Sequence, residues 1–124
     1  MGAELRGTSG ISWRGMAKGS RKEQGYFSVG DLQAKTVVLC EAAIDAMSCS
    51  ILIDDCLCLS TAGARPNPAW LPSLLRPGYT VHCGFDADAT GDQMADAMME
   101  LHPTIHRLRP ARHDWNDMLQ ATRR

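Results

Sequence analysis

The chain has 124 residues, of which 44% are hydrophobic and 22% are charged, a composition typical of one soluble globular domain with a single core. No apolar run approaches the roughly 20 residues that a transmembrane helix needs, and residues 1–15 lack the apolar segment of a secretory signal, which favours a cytoplasmic protein without a membrane partner. The five cysteines include no C-x-x-C pair, so we interpret them as reduced core residues rather than as a zinc site.

Charge is distributed unevenly along the chain. Residues 1–35 carry six Lys/Arg and three acids, residues 36–100 carry two and nine, and residues 101–124 carry five and two. The net charges of the three segments are therefore +3, −7 and +3. An acidic centre between basic ends suits a carboxylate metal site beside a polyanion-binding surface, although two simply solvated ends produce the same pattern.

The hydrophobic pattern predicts an α/β fold. Residues 1–25 are rich in glycine, serine and basic residues and form a basic, mostly irregular lead-in, whereas residues 26–124 are predicted to form a single domain. Its predicted elements are a short strand at 26–29, a strand at 36–40, a helix at 42–50, a strand at 56–60, a short helix at 69–75, a strand at 80–85, a helix at 91–101, a strand at 104–108 and a helix at 115–121. This alternation favours right-handed crossovers and a Rossmann-like, mostly parallel four-stranded sheet flanked by helices. On the helix 91–101, the spacing predicts that Met98 and Leu101 both face inward.

Three acids follow predicted strands at the point where each strand ends. Glu41 comes directly after strand 36–40, Asp86 comes directly after strand 80–85, and Asp88 lies two residues further on. Because parallel strands present their carboxyl ends at one edge of the sheet, we expect these side chains to converge there. Crowded carboxylates repel one another unless a cation neutralises them, and ligands that are all oxygen suit Mg²⁺, with Mn²⁺ as an alternative.

The sequence around Asp86 and Asp88 also admits a structural interpretation. Alternate residues that leave a strand can aim both carboxylates at one ion, and Gly91 permits a tight turn into the following helix. Alternatively, Asp88 caps that helix and Asp86 is a solvated loop acid. An EF-hand loop is disfavoured because its twelfth position, which requires Glu, is Ala97.

A strand that ends in Glu, followed by a strand that ends in D-x-D-x-x-G, resembles the Toprim domain of bacterial primases, topoisomerases and several nucleases. These motifs occupy residues 37–46 and 82–92, with Ala42 in place of the Gly that commonly follows the Glu. The loop at 61–64 and the segment at 110–119 resemble the primase-like branch. The amino-acid sequence of the motifs is most similar to that of Toprim-like proteins of plasmids, phages and mobile elements. Within 110–119, which resembles P-x-x-K-D-P-x-D-x-L, His113 replaces the Lys and Trp115 replaces the second Pro.

The resemblance implies a Mg²⁺-dependent nucleotidyltransferase that makes primers in DNA replication or mobile-element processing. Its implied partners are DNA or RNA, nucleoside triphosphates, and a helicase or other domains of a larger replication protein. The implied catalytic and metal-binding residues are Glu41, Asp86 and Asp88, with Asp45 and Asp92 as acids that support the ligands; Asp45 is equally well read as an exposed helix acid. A nuclease that cleaves phosphodiesters and a non-catalytic nucleic-acid-binding module remain as alternatives.

Several basic side chains are candidates for contacts with nucleic-acid phosphates. They are Arg14, Lys18, Arg21, Lys22 and Arg65. The alternatives are a solubilising lead-in for the first four and an ion pair with Asp54 or Asp55 for Arg65.

Near the end of the chain, Asp114 fits the N-cap of the last helix, and Trp115 fits a core anchor. Asp114 also lies where it could reach the predicted metal edge.

Overall fold

Strands and helices alternate along residues 27–122, the part of the chain that the computed structural model describes. The elements are β1 (Phe27–Gly30), β2 (Thr36–Cys40), α1 (Ala43–Leu52), β3 (Cys56–Ser60), a 3₁₀ helix (Leu71–Leu74), β4 (Thr80–Cys83), α2 (Ala89–Leu101), β5 (His106–Arg107) and α3 (Trp115–Thr122). Each predicted element is present, and the predicted strand at 104–108 is reduced to the two residues of β5.

The strands form one sheet in the order β1-β3-β2-β4-β5. Pairing is parallel from β3 through β5, whereas β1 runs antiparallel to β3 at the edge. The mostly parallel α/β sheet is therefore confirmed, with five strands rather than four because the short first strand joins it. In the register, Cys40 pairs with Ser60 and Leu39 pairs with Cys83, so the carboxyl ends of β2, β3 and β4 meet at one edge.

Side chains of the central strand β2 alternate between two cores, as the period of two along a strand requires. Val37 and Leu39 pack on one face with residues of α2 and the 3₁₀ helix. Val38 and Cys40 pack on the other face with residues of α1 and with Trp115 of α3. Helices therefore cover both faces, which explains why β2 is a continuous apolar run and why the polar groups gather at the strand ends.

All five cysteines are free and buried, which confirms their interpretation as core residues. They are Cys40, Cys49, Cys56, Cys58 and Cys83.

The prediction for Leu101 is wrong, because this side chain is 55% exposed while Met98 is fully buried. Leu101 is the last residue of α2, and the buried residues of this helix end at Met98, so its buried face stops before the final residue. Among the helices described between residues 27 and 122, none combines the length and the apolar character needed to span a bilayer.

Candidate metal centre

The loop from β4 to α2 is folded tightly around the backbone of Asp86. A Cβ at Gly91 would lie 2.0 Å from the carbonyl oxygen of Asp86, so only glycine fits at this close approach. The Gly91 N–H donates to Oδ1 of Asp88 at 2.7 Å, which makes Asp88 the N-cap of α2. This hydrogen bond is the largest contribution that lowers the pKa of Asp88. The capping interpretation is therefore confirmed, and it leaves Oδ2 of Asp88 outside the cap.

Asp86 is the acid whose environment is least satisfied. Its Oδ1 atom is buried and has no hydrogen-bond partner among the described residues. Burial first, and the neighbouring Glu41 second, raise the pKa of Asp86 to about 7. A buried carboxylate oxygen without a donor is unfavourable unless a cation or proton compensates for it, so Asp86 is not the solvated loop acid of the alternative interpretation.

Glu41 directly follows the neighbouring strand β2, and its side chain binds the backbone of Asp86. Its Oε2 atom accepts a hydrogen bond from the Asp86 N–H at 2.9 Å. Its carbonyl oxygen accepts from the Gly63 N–H at 2.7 Å, so the loop at 61–64 packs against the same residue. Ala42 adopts an extended backbone with φ −131°, which any residue can adopt, and the missing Gly therefore has no conformational cost.

Two groups of potential ligand atoms meet at Asp86. Within each group, all the ligand atoms lie within 4.8 Å of one another. One group consists of Asp86, Asp88 and His113, and the other consists of Asp45, Asp86 and Asp114. Glu41 belongs to neither group, although its charge contributes to the raised pKa of Asp86. The donor sets contain carboxylate oxygens and one imidazole, which fit a hard or borderline divalent cation.

Asp45 is held inside the fold rather than on the helix surface. Its residue exposure is 4%, and its Oδ1 atom accepts a hydrogen bond from the Asn116 N–H at 3.2 Å. Burial is the main cause that raises the pKa of Asp45. The alternative of an exposed helix acid is therefore wrong, because the contact between α1 and α3 covers this carboxylate.

The segment before α3 is anchored to the loop that carries the acids. Trp115 is buried, and its Nε1–H donates to the Gly84 carbonyl oxygen at 2.9 Å. Oδ1 of Asp114 accepts from the Asp117 N–H at 2.7 Å, which caps α3. Both the predicted anchor and the predicted cap are confirmed, and Asp114 also reaches the acidic edge.

His113 belongs to the first ligand group and also contacts Asp114 of the second. Its Nε2 atom is 3.0 Å from Oδ2 of Asp88, and its Nδ1 atom is 3.3 Å from Oδ2 of Asp114. The hydrogen bond with Asp88 is the main cause that raises the pKa of His113. Sequence reasoning did not assign this residue to the site, although its position in the 110–119 segment carried the signal.

The loop from β4 to α2 and Asp92 of α2 accept hydrogen bonds from two arginines that the sequence analysis did not identify. Arg107 donates to the carbonyl oxygens of Phe85 at 2.8 Å and Asp86 at 3.1 Å, and to Oδ1 of Asp92 at 2.7 Å. Arg109 binds both carboxylate oxygens of Asp92. Hydrogen bonds from Arg109 and Arg107 lower the pKa of Asp92 to about 2. The Asp92 side chain is thus paired with two arginines, and Arg107 links it to the Asp86 backbone.

The predicted phosphate-binding residues have different positions relative to the described chain. Arg14, Lys18, Arg21 and Lys22 lie outside the described residues. Arg65 is exposed in the loop after β3, and it forms no ion pair with Asp54, Asp55 or any other acid between residues 27 and 122.

Comparison with family models connects this geometry to known proteins. A model for a family described as Toprim-like matches residues 38–119, a range that includes Glu41, Asp86, Asp88 and the segment that carries His113. Comparisons with curated proteins and with solved structures gave no significant match.

Proposed function

The chain belongs to the Toprim-like family, and from this premise we propose that its acidic edge supports Mg²⁺-dependent phosphoryl transfer on a nucleic acid. The proposed reaction is primer synthesis, in which a 3′-hydroxyl attacks a nucleoside triphosphate and releases pyrophosphate. We place this activity in the cytoplasm, in a replication or mobile-element protein whose helicase or other domains hold the template.

The observation that carries the proposal is Asp86 itself, which belongs to both ligand groups and whose buried Oδ1 atom has no hydrogen-bond partner among the described residues. A fold that left this oxygen without any compensating charge would lose stability, whereas a divalent cation supplies the missing partner. Asp86 and Asp88 are the proposed ligands, and Glu41, Asp45 and Asp114 surround them with further negative charge. When bound, the cation neutralises charge that develops on the phosphoryl oxygens.

The remaining residues position the reacting groups. Glu41 holds the Asp86 backbone through Oε2, and no described residue donates a hydrogen bond to its Oε1 atom. We assign Glu41 as the base that accepts the proton of the attacking hydroxyl, with direct metal ligation as its other proposed role. Exposed Arg65, and the basic residues of the lead-in at positions 14, 18, 21 and 22, are the proposed contacts for nucleic-acid phosphates.

The test is a pair of assays with Mg²⁺ or Mn²⁺, one for ribonucleotide polymerisation on a DNA template and one for plasmid cleavage. Asp86→Asn and Glu41→Gln are compared with Asp96→Asn, which alters an exposed acid of α2 outside both ligand groups. We expect template-dependent polymerisation that both site variants lose and the control retains. Cleavage that depends on the same two acids would instead identify a nuclease, and salt-sensitive nucleic-acid binding without either reaction would identify a non-catalytic module.

A further inference from the structure

His113 brings a nitrogen donor to a centre that otherwise offers oxygen. Its Nε2 atom lies 3.0 Å from Oδ2 of Asp88, and within the group of Asp86, Asp88 and His113 the ligand atoms lie within 4.8 Å of one another. In the Toprim-like pattern that this segment resembles, the same position holds a lysine. A lysine ammonium has no lone pair to offer a metal, whereas a neutral imidazole has one.

The other ring nitrogen has the partner that a metal-bound histidine requires. Nδ1 lies 3.3 Å from Oδ2 of Asp114, and Oδ1 of the same carboxylate is held by the Asp117 N–H at 2.7 Å. Histidines that bind metals generally donate their second N–H to a carboxylate, which fixes the ring orientation and leaves the first nitrogen free to coordinate. Asp114 is in place to set this tautomer, with Nε2 directed toward Asp88.

The backbone of His113 is also fixed to the loop that carries the acids. Its carbonyl oxygen accepts a hydrogen bond from the Ala87 N–H at 2.7 Å, between Asp86 and Asp88 in sequence. The imidazole therefore moves together with both carboxylates. Its side chain is 57% exposed, which leaves room for water and substrate beside a bound ion.

The buried Oδ1 atom of Asp86 accepts no hydrogen bond from any described residue. A protonated His113 could act as such a counter-ion for Asp88, but its position beside Asp88 Oδ2 and Asp114 Oδ2 does not fill the environment of Asp86 Oδ1. A coordinated ion would be shared by all three side chains, Asp86, Asp88 and His113, whose ligand atoms lie within 4.8 Å of one another. The two interpretations predict opposite effects of removing the imidazole, because a counter-ion competes with a metal whereas a ligand retains it.

On the basis of the metal centre proposed above, we propose that Nε2 of His113 is a ligand, with Asp86 and Asp88, of a first-row transition-metal dication such as Mn²⁺. Imidazole binds such ions well and binds Mg²⁺ poorly, so this mixed group is selective for the transition metal. The second group, Asp45, Asp86 and Asp114, offers only oxygen and lacks this preference. This chain would thus differ in metal choice from relatives that hold lysine at this position.

The experiment measures ion binding directly, without nucleic acid. The full chain is titrated with Mn²⁺ by electron paramagnetic resonance, nitrogen hyperfine coupling is recorded by electron spin-echo modulation, and Mg²⁺ is titrated by calorimetry. The variants are His113→Ala and the control His106→Ala, which removes an exposed imidazole of β5 that belongs to neither ligand group. We expect nitrogen coupling in the wild type and the control, and its loss in His113→Ala together with about tenfold or more weaker Mn²⁺ binding and less than about threefold weaker Mg²⁺ binding.

Bound Mn²⁺ without nitrogen coupling, or Mn²⁺ binding that stays equal or becomes tighter in His113→Ala, would overturn this inference and leave the proposed function standing. Absence of binding of either ion by the wild type, matched by Asp86→Asn, would overturn the inference and the metal-dependent function together. Folding of each variant is checked by thermal unfolding, and His113→Gln serves as a second substitution if the alanine variant unfolds.

Discussion

Two aspartates six residues apart, Asp86 and Asp92, have opposite environments in the same loop and helix. Asp92 accepts hydrogen bonds from Arg107 and Arg109, which lower its pKa to about 2. Asp86 has a buried oxygen without a hydrogen-bond partner among residues 27–122, and burial raises its pKa to about 7. The fold therefore pairs one acid with its own arginines and leaves an oxygen of the other without a donor from this part of the chain.

Arg107 connects these two regions. The guanidinium that pairs with Asp92 also donates to the carbonyl oxygens of Phe85 and Asp86. Pairing at Asp92 thus fixes the backbone from which the unpaired carboxylate projects. Substitutions in the loop, at Arg107, or at either aspartate test how these two environments depend on each other.

The largest effect is expected from Gly91→Ala. Because the new Cβ would meet the Asp86 carbonyl oxygen at 2.0 Å, the loop must shift, and we expect a loss of about 3 kcal/mol of unfolding free energy, typical of severe overpacking. Chemical denaturation measures this loss, and Thr90→Ala at the exposed neighbouring position is the control. Equal stability of both variants would show that the close approach does not constrain the loop.

The second effect concerns Arg107→Met, which retains the side-chain length but removes the donors. Several carbonyl oxygens at the end of β4 would lose their partner, and we expect destabilisation of about 2 kcal/mol from these charge-assisted hydrogen bonds. Arg109→Met is the matched comparison, because Arg109 is exposed and, within residues 27–122, its side chain forms hydrogen bonds with Asp92 alone. A loss as large in Arg109→Met would place the stabilisation in the ion pair and not in the carbonyl contacts.

The third prediction concerns pH in the metal-free protein. The pKa of Asp86 is about 7 in the folded chain and 3.8 as its ordinary value, so the folded state holds the extra proton between these values. Stability from this group is fully present below about pH 4 and is lost as the pH rises through about 7. After allowance for solvent screening, we expect Asp86→Asn to be more stable than the wild type by about 1 to 2 kcal/mol at about pH 8.

Urea unfolding in the presence of a chelator, from about pH 4 to about pH 8, checks this prediction. The Asp86→Asn difference should grow with pH across that window. A difference that is constant with pH would mean that the carboxyl group does not titrate there in the folded protein.

The smallest effect is expected from Asp92→Asn on metal binding. Because its oxygens already accept from the two arginines, we expect Mg²⁺ and Mn²⁺ affinities to change by less than about threefold, as for a screened exposed pair. Calorimetry with each ion measures the change. A loss of metal affinity as large as that of Asp86→Asn would show that the two acids do not differ in their contribution to metal binding.

The sequence was sufficient to predict the central sheet because the runs at 36–40 and 56–60 are continuous, apolar and bounded by polar residues. It also placed Asp86 and Asp88 at a strand end, since that placement depends only on local order along the chain. The N-cap of Asp88 and the core anchor Trp115 were predictable for the same local reason. Leu101 shows the limit of helical spacing, which assigns a residue to a face of the helix but does not tell where along the helix that face stops being buried.

The rest of the centre depends on contacts between distant segments. Arg107 reaches the carbonyl oxygens of the Asp86 loop because β5 pairs with β4. No local sequence pattern predicts this strand order. His113 reaches Asp88 across 25 positions, and Asp45 meets Asn116 across 71. The sequence shows that His113 stands where the resembled segment has a lysine. It does not show how close the imidazole lies to the acids.

We propose that a divalent cation binds Asp86, whose buried Oδ1 atom has no hydrogen-bond partner among the described residues. Crystals of the full chain soaked in Mn²⁺, with data collected near the manganese absorption edge, test it most directly. We predict an anomalous density peak within coordination distance of Asp86 that disappears in Asp86→Asn. Peaks confined to other acids, with Asp86 bonded to a protein group or to water alone, would contradict the account.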